Sequence, residues 1–161
     1  MATCIFGEYV YVFGGEREFS ELPKIELLIR NYSTTIERLH RGIKKWDIVP
    51  LAEETKKEWG GCGLSAAIPT NDSIMIVGGY IRNKDGYEWQ LNYITYTPST
   101  RKFTERKTFE EGIRVEFFFN SGYHLQNNVF LLCSNFPNDI QAFYTFGPKG
   151  TNYARHAIRK Q

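Results

Sequence analysis

The side chains in this sequence that could act as ligands, nucleophiles or proton carriers are three histidines, three cysteines and two pairs of adjacent glutamates. His40, His124 and His156 are scattered along the chain, with no ligand spacing to group them, so no metal site is expected. Cys4, Cys62 and Cys133 are odd in number and far apart, which argues against a disulfide framework or a zinc knuckle. They read as small apolar core residues of a reducing compartment. Gly60-Gly61-Cys62-Gly63 resembles a phosphate-cradling loop but lacks the following Lys-Ser/Thr and leads into a strand. Ser65 and Ser121 sit in no Gly-x-Ser-x-Gly elbow, and Cys62 has no base nearby in sequence. Glu53-Glu54 and Glu110-Glu111 read as solvated acids, since adjacent residues of a strand or loop point apart. The sequence therefore predicts no catalysis and no cofactor.

Composition bounds the elements that carry these residues. The 161 residues are 42% hydrophobic, 16% aromatic and 24% charged, which excludes disorder, coiled coil and collagen. A net charge of +2 gives no field for nucleic acid or an anionic membrane. The N-terminal residues lack the basic-then-apolar order of a secretory signal, and no stretch approaches the ~18 apolar residues of a membrane span. A cytoplasmic protein is expected.

Self-similarity organises the chain. Tyr9-Val10-Tyr11-Val12-Phe13-Gly14-Gly15, Ser73-Ile74-Met75-Ile76-Val77-Gly78-Gly79 and the degenerate Asn128 to Asn135 are apolar runs closed by small residues. Without polar alternation, they read as inner strands covered on both faces. Each follows a first strand across a short turn, at Gly7-Glu8, at Pro69 to Asp72 and at Gln126-Asn127. Downstream, Thr35 to Trp46 aligns without a gap on Asn92 to Phe103, and the third counterpart is Ile140 to Phe146 followed by Tyr153. Gly14 to Gly78 is 64 residues, and Trp46 to Phe103 is 57. Units of four antiparallel strands at such a period predict an all-β chain of propeller blades. The blades are expected at about 1–52, 58–109 and 113–158, about three in all.

These residues resemble kelch repeats, whose hallmark is an apolar strand ending in Gly-Gly, a later aromatic strand, and a Trp after a basic turn. Val12-Phe13-Gly14-Gly15 with Ile36-Glu37-Arg38 and Lys44-Lys45-Trp46 matches most closely, then Ile76-Val77-Gly78-Gly79-Tyr80. Phe103 and Tyr153 replace the Trp, and the third unit lacks the glycine pair. The resemblance implies a partial kelch propeller, half of a six-bladed ring. It also implies a binding face made by the loop after Gly-Gly and the segment entering each first strand. Mapped here, that face holds Arg17, Tyr80, Arg82, Asn83, Trp59 and Arg114 as binding residues, with Tyr80 and Arg82 the strongest anchors.

The expected function is a noncatalytic interaction or scaffold module for a protein partner. The alternatives are a structural subunit of a larger assembly, and a kelch-type enzyme or glycan-binding propeller with its pocket on the axis. An incomplete ring leaves two blade faces, expected to carry Phe117, Phe119, Tyr9 or Tyr11, for a homodimer partner or for neighbouring blades to cover. Residues 17–33 suit either a short helix behind Pro23 or an extension of the third strand. The basic tail Thr151 to Gln161 reads as the last strand of the third unit with a frayed end.

Overall fold

The computed structural model describes residues 1–15, 33–62, 65–78, 80–83, 86–89, 92–108, 119–125, 130–135, 141–147 and 154–157. The segment 17–33, apart from Ser33, lies outside them, as do Arg17, Arg114, Phe117 and Tyr153. The chain is mostly β, in antiparallel sheets that do not close on themselves.

The first sheet is a meander of β1 (Ala2–Phe6), β2 (Tyr9–Phe13), β3 (Ile36–His40) and β4 (Lys45–Ile48), in that order. A helix, α1 (Glu53–Trp59), leads to the second sheet. That sheet comprises β5 (Ala66–Pro69), β6 (Ile74–Val77), β9 (Asn92–Thr97) and β10 (Lys102–Phe103), with β11 (Lys107–Thr108) also pairing β9. Between β6 and β9, β7 (Tyr80–Asn83) and β8 (Gly86–Trp89) form a separate two-stranded ribbon. The third sheet is β12 (Phe119–His124), β13 (Phe130–Asn135), β14 (Gln141–Phe146) and β15 (Ala154–Ala157). All three apolar runs are inner strands: β2, β6 and β13 each pair on both edges. No helix among the described residues is long and apolar enough to cross a membrane.

The register reproduces the gapless match between the first two units. Leu39 lies opposite Trp46, and Tyr96, 57 residues beyond Leu39, lies opposite Phe103. The turns repeat as well. Lys44 N–H donates to His40 O at 2.8 Å and Arg101 N–H to Thr97 O at 2.8 Å. Both basic residues are left-handed, with φ of 53° and 57°. A side chain in that region is strained, so one turn geometry kept twice means the turn, not the residue, sets the backbone.

The main core lies between the first two sheets. Tyr11, Phe13 and Ile36 on one side meet Ile74, Ile76, Ile94, Tyr96 and Phe103 on the other. Phe13 packs edge-on to Tyr96 at 5.6 Å between centroids. Each such aromatic or aliphatic side chain contributes about 1.5–3 kcal/mol on leaving water. β6 is buried on both faces along its whole length, as its unbroken apolar run requires.

Two expectations need correction. Tyr11, expected on an open face, is buried in this core, and Tyr9 is half-buried, its ring tilted against Tyr11 and edge-on to His40 of its own sheet. The open face of the first sheet carries the opposite parity instead: Ile5, Trp46 and Ile48 are 55%, 53% and 64% exposed. Glu53-Glu54 does not lie on a strand or loop but opens α1, where Lys56 Nζ bonds Glu53 at 2.6 Å. Acids in the first turn and lysines in the last suit the helix dipole, and Gly60 closes it in a left-handed conformation, donating to Lys56 O.

The Gly-Gly signal has a steric cause at Gly14. Its φ is +64°, and a Cβ there would run into the backbone carbonyl of Cys62 and lie 2.9 Å from its Sγ. The next residue, Gly15, donates to that same Cys62 O at 3.0 Å. The strand end is thus stitched to the entrance of the second unit, a closeness only glycine allows.

Candidate functional site

Two regions stand apart from the packed core: the β7–β8 ribbon and a cavity where the first strands of the three sheets converge.

The ribbon occupies the segment read from sequence as a variable loop after Gly78-Gly79. Its register pairs Tyr80 with Trp89, Ile81 with Glu88, Arg82 with Tyr87 and Asn83 with Gly86. Three of the six expected binding residues, Tyr80, Arg82 and Asn83, therefore sit on one strand. Two residues, Lys84-Asp85, connect the strands, and Asp85-Gly86 between two aromatic segments is a hairpin signal that was available in the sequence.

The base of the ribbon is fixed by polar groups. Gly78 N–H donates to Asn92 O at 2.7 Å, and Ser65 Oγ donates to Gly78 O at 2.9 Å. The guanidinium of Arg106 donates from Nη1 to Asn92 Oδ1 at 2.8 Å and from Nη2 to Trp59 O at 2.9 Å. It also lies 5.9 Å from the Trp59 ring centre. Burial pushes the Arg106 pKa below its ordinary value, yet arginine stays charged, so these are charge-assisted bonds. They tie the end of α1 to the start of β9.

Trp59 is not on a loop face. Its side chain is wholly buried, stacked on Phe103 at 4.7 Å with 3° between the rings, and edge-on to Phe13 at 6.4 Å. Among the described residues, its Nε1 has no hydrogen-bond partner. The helix missed in sequence is what turns this residue inward. The structure thus puts Tyr80, Arg82 and Asn83 on one strand and places Trp59 in the core, beside Arg106.

The cavity, of about 550 Å³, is lined from β1 by Thr3, Cys4 and Ile5, from β5 and its turn by Ala67, Pro69, Thr70 and Asn71, and from β12 by Gly122, Tyr123 and His124. Among the described residues, none of the expected binding residues lines it. The Cys4 thiol is pushed up to about 12 by burial, so it stays protonated near neutral pH and is a poor nucleophile. Thr70 Oγ1 is committed to its own turn, donating to Ser73 O at 2.9 Å. Among the described residues, no three His, Cys, Asp or Glu side chains come together. A hub formed by three strands distant in sequence leaves no local motif by which it could have been foreseen.

On the outer half of the first sheet, Arg38 grips Asp47 across β3 and β4, with Nη2 at 2.8 Å and Nε at 2.9 Å from Oδ2. Its guanidinium also covers the Tyr9 ring at 4.4 Å. The hydrogen bond from Arg38 holds the Asp47 carboxyl below the usual carboxylate range. This pair is structural, clamping adjacent strands at directly opposed positions.

No family model matches the sequence, and no curated protein matches it. Among solved structures, the fold is similar to one titled "Structure of YjhT", with a TM-score of 0.60 and 12% identity. The match covers 99% of this chain and 52% of that one, so the chain spans about half the length of that structure. At this identity the likeness is one of fold alone.

Proposed function

We propose that this chain is a noncatalytic protein-interaction module, a kelch-type set of three four-stranded blades that presents the β7–β8 ribbon to a protein partner. The ribbon's register carries the reading. Tyr80 opposite Trp89 and Arg82 opposite Tyr87 are positions that share one face of an antiparallel ribbon. Three aromatics and an arginine are the residue types that dominate interface energies. The hydrogen bond from Gly78 N–H to Asn92 O supports the same reading, because a recognition element whose two ends are joined at its base loses less entropy on binding. In favour of the blade arrangement stand three consecutive meanders, the adjacency of β1, β5 and β12, and the fold likeness to a structure twice as long.

The test is selection from a displayed random-peptide library on the wild-type chain and on a Tyr80→Ala, Arg82→Ala double variant. Enrichment of a defined peptide family by the wild type alone is expected. No enrichment, or equal enrichment by both, refutes the role of the ribbon.

A second reading, a structural subunit of a larger assembly, is favoured by one observation: the apolar outer face of the first sheet, with Ile5, Trp46 and Ile48 all more than half exposed. Apolar surface of this kind on a sheet marks an interface.

A further inference from the structure

The chain itself shows what covers one face of such a sheet. On the second sheet, the face carrying Ile94, Tyr96 and Phe103 is buried under Tyr11, Phe13 and Ile36 of the first. The gapless match puts Glu37, Leu39 and Trp46 at the positions of Ile94, Tyr96 and Phe103. The register agrees, Leu39 facing Trp46 as Tyr96 faces Phe103. The open face of the first sheet is therefore the counterpart of a face that, one unit later, is covered by a four-stranded sheet. Its rows are Ile5–Val10–Leu39–Trp46 and Thr3–Val12–Glu37–Ile48, apolar apart from Thr3 and the acid.

The geometry points to a second copy of this chain as the occupant, its third sheet seated on this face as the first sheet is seated on the second. The inference rests on the subunit reading and names its partner. Two observations favour this occupant. The third sheet also carries an exposed aromatic on one face: Tyr123, 54% exposed, shares a register row with Leu131 and Thr145, whereas Phe146, one position on and of opposite parity, is buried. Ile5 and Tyr123, one from each of these faces, both line the hub cavity, so the two faces border the same opening. A contact of face against unlike face is head-to-tail, and with two copies it closes into a pair using both faces of each.

Light scattering on the full chain over a dilution series tests this. A particle of twice the 18.7 kDa chain mass is expected. Trp46→Glu and Tyr123→Glu, both at exposed positions, should each give the single-chain mass with unchanged β-sheet circular dichroism. Mixing the two variants should restore the two-chain mass, because one pairing of unaltered faces remains between them. A wild type of single-chain mass overturns the inference, and, if it stays monodisperse at high concentration, overturns the subunit reading with it. A wild type that aggregates without fixed stoichiometry overturns only the second copy as occupant. A pair that survives Tyr123→Glu, or is not restored by mixing, refutes the head-to-tail arrangement.

Discussion

Replacing Gly14 by alanine puts the stitch between the first two units to a quantitative test. At a φ of +64°, an L-residue pays about 1–2 kcal/mol for the left-handed conformation. The new methyl also meets the Cys62 carbonyl, a backbone atom that cannot rotate away. Moving that carbonyl breaks the 3.0 Å bond it accepts from Gly15, worth about 1 kcal/mol net. The expected loss is ~2–4 kcal/mol, a large share of the ~5–15 kcal/mol a domain possesses. Gly7→Ala is the internal control. Gly7 has a similar φ of +57°, but a methyl on its Cα would have nothing within 4 Å, so only the ~1–2 kcal/mol conformational part applies. Urea unfolding of both variants, read as midpoint shifts at constant slope, separates the two contributions. A Gly14→Ala loss no larger than that of Gly7→Ala refutes the close approach as the reason for this glycine.

Trp59 should tolerate phenylalanine far better than alanine. Trp59→Ala removes the stack on Phe103 at a cost of about 3–5 kcal/mol, whereas Trp59→Phe keeps a ring and discards a buried N–H that has no partner among the described residues, so a loss below about 1.5 kcal/mol is expected in the same unfolding assay. The Asp47 carboxyl is held below its ordinary 3.8, so its contribution is complete above that value and disappears as pH falls through the lower folded value. The stability gap between wild type and Asp47→Asn should therefore hold steady near neutral pH and narrow as pH falls below about 4, and a constant gap refutes the Arg38 pairing as its source. Cys4, raised to about 12, should label with iodoacetamide near neutral pH far more slowly than a free cysteine peptide; peptide mass mapping reads the site, and equal rates contradict the burial.

The strands were legible because each unit repeats a local pattern. Unbroken apolar runs could only be inner strands, and the turn preceding Trp46 and Phe103 is so regular that Lys44 and Arg101 share a backbone conformation. Which face of a strand meets a neighbouring sheet was not legible, since Tyr9-Val10-Tyr11-Val12-Phe13 is apolar at both parities and only the second sheet decides that Tyr11 goes inward. Helix α1 had readable signs, acids at its start and Gly60 at its end, but a seven-residue helix leaves little periodicity, and the glycines of Gly60-Gly61-Cys62-Gly63 suit a loop as well as a helix end. The ribbon was hidden by taking everything between the second and third strands as loop. The cavity depends on one strand from each of the three units, a relation that alternation along a single strand does not encode.

The necks beneath the two excursions between second and third strands carry a consequence of their own. Ser33 N–H donates to Gly15 O at 2.8 Å in the first unit, and Gly78 N–H donates to Asn92 O at 2.7 Å in the second. In both, a backbone hydrogen bond joins the point where the chain leaves the sheet to the point where it returns. Closing a longer loop adds only about 0.6 kcal/mol per doubling. A change of length beyond such a gate therefore leaves the strand pairing beneath it nearly undisturbed, and each gate works as a socket that accepts segments of different length.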